Sequence, residues 1–243
     1  MSLYKSIRAS VLARLGRLPA SPLMVFLELT RRCNLKCTHC DIWQTAGQNP
    51  EMIEKELSIE KLTELFSKLQ KDGLVAVDIF GGEPLIRDDL PLLVTNLKSL
   101  GLHVTITTNG LLLSGRQGAA LFDAGPDQIL VSIDFPEAEL HDEFRGRKGA
   151  FRAALDGLAM AAEAAPGTRL GINTVISSRN AGSLVRMVEL AASHGLHQLR
   201  LLPYHDCYPF NSFSDSTDLV PSADQLEALA DEIDSVMKMA KAR

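Results

Sequence analysis

The sequence predicts an α/β fold in which parallel β-strands alternate with α-helices. Short apolar runs of strand length alternate with longer stretches whose apolar residues recur at helical spacing. Residues that favour helix starts and helix ends also stand at the boundaries of those stretches. Successive parallel strands are joined by right-handed crossovers. In such folds the chemistry lies at the carboxyl ends of the strands, so these ends are where we expect a functional site.

Six strands and six helices are predicted, one helix for each strand. The strands are short apolar runs over residues 23–29, 74–80, 103–107, 128–133, 170–176 and 198–202. The helices cover residues 59–71, 90–100, 115–124, 150–165, 181–194 and 223–240. Ser58, either Asp88 or Asp89, and Asn180 are the predicted N-caps. Left-handed C-caps are expected at Gly73, Gly101, Gly125 and Gly195.

The 243 residues, of which 46% are apolar and 23% charged, suit one substantial domain. We place that domain at residues 23–243. For residues 1–22 we predict a basic amphipathic helix and a linker, because basic and apolar side chains alternate there with helical period. We expect this helix to pack on the domain, with association to a membrane surface or an acidic partner as the alternative. The segment has neither a signal-peptide pattern nor a run of about 20 apolar residues.

The net charge of -5 gives no general attraction for phosphate backbones, so we expect no nucleic-acid partner. The chain has four cysteines, and three of them stand in one short run. That distribution is not a disulfide framework and favours a reducing, cytoplasmic location.

Cys33, Cys37 and Cys40 follow the first predicted strand with the spacing C-x3-C-x2-C. Structural zinc sites usually have four protein ligands, whereas a cubane iron–sulfur cluster held by three thiolates leaves one iron open. The triplet alone fits such a cluster, a zinc ion completed by His39 or a distant ligand, or simple packing.

Polar residues also follow the other predicted strands. The second strand precedes Gly81-Gly82-Glu83-Pro84, and the third precedes Thr108-Asn109-Gly110. Ser132 and Asp134 belong to the fourth, Asn173 to the fifth, and Tyr204 to Cys207 follow the sixth. All six stretches are predicted to face one mouth of the fold.

Over about residues 23–241, this combination resembles the core of the radical S-adenosylmethionine (SAM) superfamily. The resemblance implies a partial (β/α)6 barrel with one [4Fe-4S] cluster held by Cys33, Cys37 and Cys40. SAM would bind the fourth iron through its amino and carboxylate groups. Cys207, the only other cysteine, cannot hold a second cluster by itself.

The resemblance also implies cofactor-binding residues. The Gly81-Gly82-Glu83 stretch matches the motif that holds the methionine amino group, and Glu83 is the predicted contact with that ammonium. His39 occupies a position where relatives place an aromatic residue against the adenine. The further candidates for cofactor contact are Asn109, Ser132, Asp134, Arg145 and Asn173, and the candidates for substrate contact are Tyr204, His205 and Cys207.

The implied activity is reductive cleavage of SAM to a 5′-deoxyadenosyl radical, which then abstracts a hydrogen atom from a small-molecule substrate. The alternatives are a radical SAM enzyme that modifies a protein or peptide, including a glycyl-radical activating enzyme, and a zinc-binding α/β domain without catalysis. A one-electron donor such as flavodoxin or ferredoxin is the implied redox partner.

Overall fold

A computed structural model describes residues 22–44, 50–204 and 217–241. The predicted N-terminal helix therefore lies outside the described residues, apart from Pro22. His205 and Cys207, two of the three candidates for substrate contact, lie outside them as well.

All six predicted strands are present and form one sheet. They are β1 (Met24–Thr30), β2 (Ala76–Gly81), β3 (His103–Thr108), β4 (Gln128–Ser132), β5 (Arg169–Ile176) and β6 (Gln198–Pro203). The sheet order is β1-β2-β3-β4-β5-β6, and every neighbouring pair is parallel. The sheet is not closed, because β1 and β6 are its two ends. The predicted α/β class and partial barrel are confirmed.

The helices in the described residues are α1 (Pro50–Glu54), α2 (Ile59–Asp72), α3 (Leu90–Ser99), α4 (Arg116–Ala124), α5 (Ala138–Phe144), α6 (Ala150–Ala164), α7 (Leu184–Ser193) and α8 (Ala223–Lys241). Two 3₁₀ turns cover Pro84–Ile86 and Thr217–Leu219. The sequence did not predict α1 or α5. The N-cap of α5, Glu137, makes no side-chain capping bond, so the usual start signal is missing. Within the described ranges, no helix is long and apolar enough to cross a membrane.

The predicted N-caps have three different outcomes. Ser58 caps α2, because its side chain accepts a hydrogen bond from the Lys61 amide. Asp89 occupies the N-cap of α3 but makes no capping bond, and its carboxylate pairs with Arg87 at 2.7 Å. The prediction for Asn180 is wrong, because α7 begins only after Ser183. The four glycines predicted to follow helices all have the positive φ that glycine favours at this position. They are Gly73, Gly101, Gly125 and Gly195.

Alternation along the strands gives the sheet two different faces. The residues facing the helices are apolar and fully buried, as with Val77 and Ile79 of β2. The opposite face, the lumen of the partial barrel, is largely polar. It carries Asp78, Thr105, Thr107, Gln128, Ser132, Asn173 and Arg200. A lumen of this composition is suited to binding a polar ligand, unlike the packed apolar interior of a closed barrel.

Candidate active site

The cysteine loop follows β1 and packs closely against the turn after β2. The Gly82 amide donates to the Thr30 carbonyl at 2.7 Å, and the Glu83 amide donates to the Arg32 carbonyl at 2.8 Å. A Cβ on Gly81 would collide with the backbone of Thr30, and one on Gly82 would collide with the backbone of Arg32. The two glycines are therefore needed for the close approach of two backbones, whatever they do for a cofactor.

The end of α5 holds the cysteine loop from the other side. The Thr38 amide donates to the Phe144 carbonyl at 2.9 Å, and the Thr38 hydroxyl donates to the same oxygen. The His39 imidazole stacks on the Phe144 ring, with 4.5 Å between centroids. Gly146 lies so close to the Lys36 carbonyl that a Cβ would not fit between them. These contacts set the position of the loop before any metal binds.

All three cysteines of the triplet are free thiols and line one cavity of about 150 Å³. Most of the predicted cofactor-binding residues line the same cavity, namely His39, Gly81, Gly82, Asn109, Ser132, Arg145 and Asn173. His39 comes from the cysteine loop after β1, Arg145 directly follows α5, and the others lie in or just after β2, β3, β4 and β5. The fold therefore brings the strand ends together as predicted. Two predicted residues, Glu83 and Asp134, do not line the cavity.

Glu83 is fully buried beneath the cavity and joins two loops. One carboxylate oxygen accepts from the Leu85 amide at 3.0 Å and the Thr108 hydroxyl at 2.8 Å, and the other accepts from the Asn109 amide at 2.8 Å. Burial raises the pKa of Glu83, and the three donors oppose that rise. Its contacts in this structure are therefore structural, and the ammonium contact stays a prediction.

Asp134 is also fully buried and holds Arg145. Its carboxylate lies 2.6 Å from an Arg145 nitrogen and accepts from the Val175 amide at 3.0 Å. Arg145 Nη1 in turn lies 3.9 Å from the Cys37 sulfur. The guanidinium thus places a fixed positive charge beside one cysteine, and Asp134 acts on the cavity through Arg145.

Burial keeps the three thiols protonated in the metal-free protein. It raises the pKa of Cys33 to about 12 and that of Cys40 to about 11. Burial also raises the pKa of Cys37, and the Arg145 charge opposes this rise. Because metals bind thiolates, loading the site must release these protons.

The cavity offers polar atoms that lack hydrogen-bond partners among the described residues. Asn173 Oδ1 and His39 Nδ1 are both buried and unpaired there, which is costly unless a ligand supplies the missing bonds. Burial, together with the Arg145 charge, lowers the pKa of His39 to about 4, so the imidazole is neutral. Three thiols and two unpaired polar atoms around one cavity fit a metal cluster with an organic ligand beside it. Among the described residues, no group of three His, Cys, Asp or Glu side chains is arranged to hold a single metal ion.

A second, larger cavity of about 470 Å³ adjoins the first and shares His39, Phe80, Thr107, Asn173 and Val175 with it. Phe26 of β1 and Leu202 of β6 both line it, so the cavity lies between the two end strands of the open sheet. Tyr204, a predicted substrate contact, lines it as well.

Sequence reasoning missed the ion pair in this cavity. Arg200 Nη1 lies 2.7 Å from Asp78 Oδ2, and Thr107 donates to the other Asp78 oxygen at 3.3 Å. A charged residue interrupts each apolar strand, in Val77-Asp78-Ile79 and Leu199-Arg200-Leu201. That interruption was a readable signal that these strands have a polar face.

An open parallel sheet with a cysteine cavity at the carboxyl ends of its strands places the candidate site where enzymes of this fold class carry theirs. The model of the Radical SAM superfamily matches residues 27–191. The chain belongs to the radical SAM superfamily. The predicted family and enzyme class are confirmed.

Curated relatives with different named activities match the chain. One is an "AdoMet-dependent heme synthase" from Oleidesulfovibrio alaskensis, 36% identical over 162 residues that make up 67% of this chain and 40% of the relative. Another is a "PqqA peptide cyclase" from Methylocella silvestris, 30% identical over 90% of this chain and 57% of the relative. The chain thus spans about half the length of these relatives.

Solved structures share the fold. SuiB of Streptococcus suis bound to the precursor peptide SuiA gives a TM-score of 0.74 at 17% identity, covering 96% of this chain and 49% of that one. Native anSMEcpe with bound AdoMet and a peptide gives 0.67 at 16% identity, covering 88% and 59%.

Proposed function

We propose that this chain is the core of a radical SAM enzyme that abstracts a hydrogen atom from a small-molecule substrate. The observation that supports this most is the contact between the two cavities. The cysteine cavity adjoins a larger cavity that lies between the end strands of the sheet. Substrate and cofactor could therefore meet without crossing packed protein.

Cys33, Cys37 and Cys40 would hold one [4Fe-4S] cluster, and Asn109, Ser132 and Asn173 would contact SAM. When bound there, the cluster and SAM would supply the one-electron chemistry that starts hydrogen abstraction. An electron donor such as flavodoxin or ferredoxin would serve them, and a reducing cytoplasm would suit the thiols. The contribution of the chain is to position the reacting groups and exclude water. Arg145 would offset the negative charge of the Cys37 thiolate.

A peptide substrate is the second candidate. Curated relatives include PqqA peptide cyclases as well as heme synthases. The larger cavity favours this candidate in one respect, because it lies at the open edge of the sheet, where an extended chain could enter.

The test is anaerobic reconstitution with iron and sulfide, followed by SAM and dithionite. We expect close to four irons per chain and release of 5′-deoxyadenosine. Cys33→Ala should lose both the iron and the release of 5′-deoxyadenosine. Cys207→Ala should keep its iron, because we assign Cys207 no role in holding the cluster. Iron retained by a Cys33, Cys37 and Cys40 triple alanine variant would contradict the cluster, and reconstituted protein that leaves SAM intact would contradict the activity.

To separate the two substrate classes, deuterium transfer from candidate molecules into 5′-deoxyadenosine should be followed by mass spectrometry. Transfer from a small metabolite would support the first candidate. Transfer only from a peptide would support the second and contradict the first.

A further inference from the structure

Among the described residues that line the larger cavity, one accessible side chain is charged, and its charge is positive. Of its lining residues, Asp78 and Arg200 are the charged pair. The Asp78 side chain is only 2% exposed, and both its oxygens are occupied, one by Thr107 and one by Arg200. The Arg200 side chain is 24% exposed. A ligand in this cavity therefore meets the guanidinium, with the carboxylate concealed behind it.

The ion pair orients Arg200 and leaves part of it available. A guanidinium has five N–H donors in a planar fork. One of its nitrogens, Nη1, bonds to Asp78, and within the described residues no other protein group accepts from Arg200. Pairing Nη1 with a buried carboxylate restricts the orientation of the fork, so a ligand that binds the remaining donors costs less side-chain freedom.

The walls around this fork are mostly apolar. Phe26 is 65% exposed, an unusual degree for a phenylalanine on a strand, and it faces the cavity with Phe80 and Leu202. Asn173 lies beside Arg200 in the register of β5 and β6 and lines both cavities. A ligand bound to Arg200 would thus rest on apolar walls and extend toward the cysteine cavity.

From this arrangement we infer that Arg200 binds a carboxylate of the substrate, and that the rest of the substrate is apolar or aromatic. The inference rests on the proposed function, since it assigns the substrate class of that site. A carboxylate matches the fork in shape and balances one charge with one charge. A phosphate dianion would bring two negative charges to a cavity whose described lining offers a single accessible cation. The carboxylate can belong to a small metabolite or to a peptide side chain.

Binding of defined probes tests this directly in the reconstituted protein. The small-molecule pair is 3-phenylpropionate and its neutral amide, and the peptide pair is acetyl-Phe-Glu-Phe-amide and the same peptide with Gln. We expect one carboxylate to bind about tenfold or more tightly than its amide partner, the range of a charge-assisted hydrogen bond. Which pair shows the preference identifies the source of the carboxylate.

Arg200→Gln should abolish that preference, while Arg152→Gln, an exposed arginine on the outside of α6, should retain it. Because Arg200→Gln leaves Asp78 buried without its cation, the double variant Asp78→Asn with Arg200→Gln is needed as well. It keeps the cavity neutral and should also lose the preference. Iron content after reconstitution reports whether each variant still folds and loads metal.

The inference would be overturned if neither carboxylate bound, if wild type bound acid and amide equally, or if the preference survived the loss of Arg200. Tighter binding of phenyl phosphate than of phenylpropionate would also overturn it. The probes need neither cluster nor SAM, so binding remains measurable in iron-free protein. A failure of the proposed function, seen as absent iron or intact SAM, is therefore distinguishable from a failure of this inference.

Discussion

Replacing Gly82 with alanine should uncouple the cysteine loop from the sheet. The new Cβ would lie 2.8 Å from the carbonyl carbon of Arg32 and 2.9 Å from the carbonyl oxygen of Arg31. Both atoms belong to backbone, so a side-chain rotation cannot relieve the contact. The turn after β2 must move away, and the bonds from Gly82 to Thr30 and from Glu83 to Arg32 must lengthen.

The cost has two parts. Overpacking a tight interior site costs roughly 1–3 kcal/mol. Two weakened backbone hydrogen bonds add about 1 kcal/mol each. The free energy of unfolding should therefore fall by about 3–5 kcal/mol. This is a shift of about 1 M or more in the urea midpoint.

The assay is urea unfolding of the iron-free protein under reducing conditions, followed by iron content after reconstitution. Gly167→Ala is the matched control, because nothing lies within 4 Å of its Cβ position and its φ is not positive. That control should stay within about 1 kcal/mol of wild type or gain a little stability. Equal midpoints for the two variants would refute the close approach of the loops, and full iron loading of Gly82→Ala would refute its importance for the site.

Three further predictions concern buried polar groups. Glu83→Gln should lower the free energy of unfolding by about 1–3 kcal/mol, because the new amide NH₂ cannot accept the hydrogen bond from the Asn109 amide. An altered affinity for SAM with an unchanged free energy of unfolding would favour the ammonium contact instead. Arg145→Met should cost about 3–5 kcal/mol by stranding the Asp134 carboxylate, and adding Asp134→Asn should recover part of it; denaturation of the three proteins checks this, and no recovery would contradict the pairing. Burial, helped by the Arg145 charge, lowers the pKa of His141 to about 4, so its contribution to stability is complete above pH 6.5 and is lost as the pH falls toward 4. Wild type should thus lose about 2 kcal/mol more than His141→Asn between pH 7.5 and pH 5, and parallel pH profiles of urea unfolding would contradict that shift.

Sequence patterns predicted those features of the fold that depend on contacts between residues close together in the chain. Ser58 caps α2 through a bond to a residue three positions away, which is a pattern visible in the sequence. Asn180 looked like the same kind of residue. Its amide instead donates to the carbonyls of Asp134 and Val175, and the first of these is 46 positions away. The Asn180 side chain, which local propensity assigned to a helix start, thus makes tertiary hydrogen bonds instead.

The candidate site likewise has features that the sequence predicts and features that it does not. The cysteine cavity was predictable because parallel strands bring their carboxyl ends together and each polar stretch follows a strand. The pairing of Asp78 with Arg200 joins residues 122 positions apart, and no local pattern specifies a partner at that distance. The sequence motif likewise pointed to Glu83 as a ligand contact, but not to the three donors that occupy its carboxylate in the structure.

The hydrogen bonds from Thr38 to the Phe144 carbonyl also determine when the cysteine loop can take its position during synthesis. The two residues are 106 positions apart, so the cysteines leave the ribosome long before the segment that fixes their loop. At typical synthesis rates this interval is roughly 5–20 s. During it the three thiols are present without the packing that defines their cavity. Iron that arrived in that interval would meet a cysteine segment without its packing partners. Productive metal loading should therefore follow synthesis of the chain at least through Gly146, which packs closely against the Lys36 carbonyl.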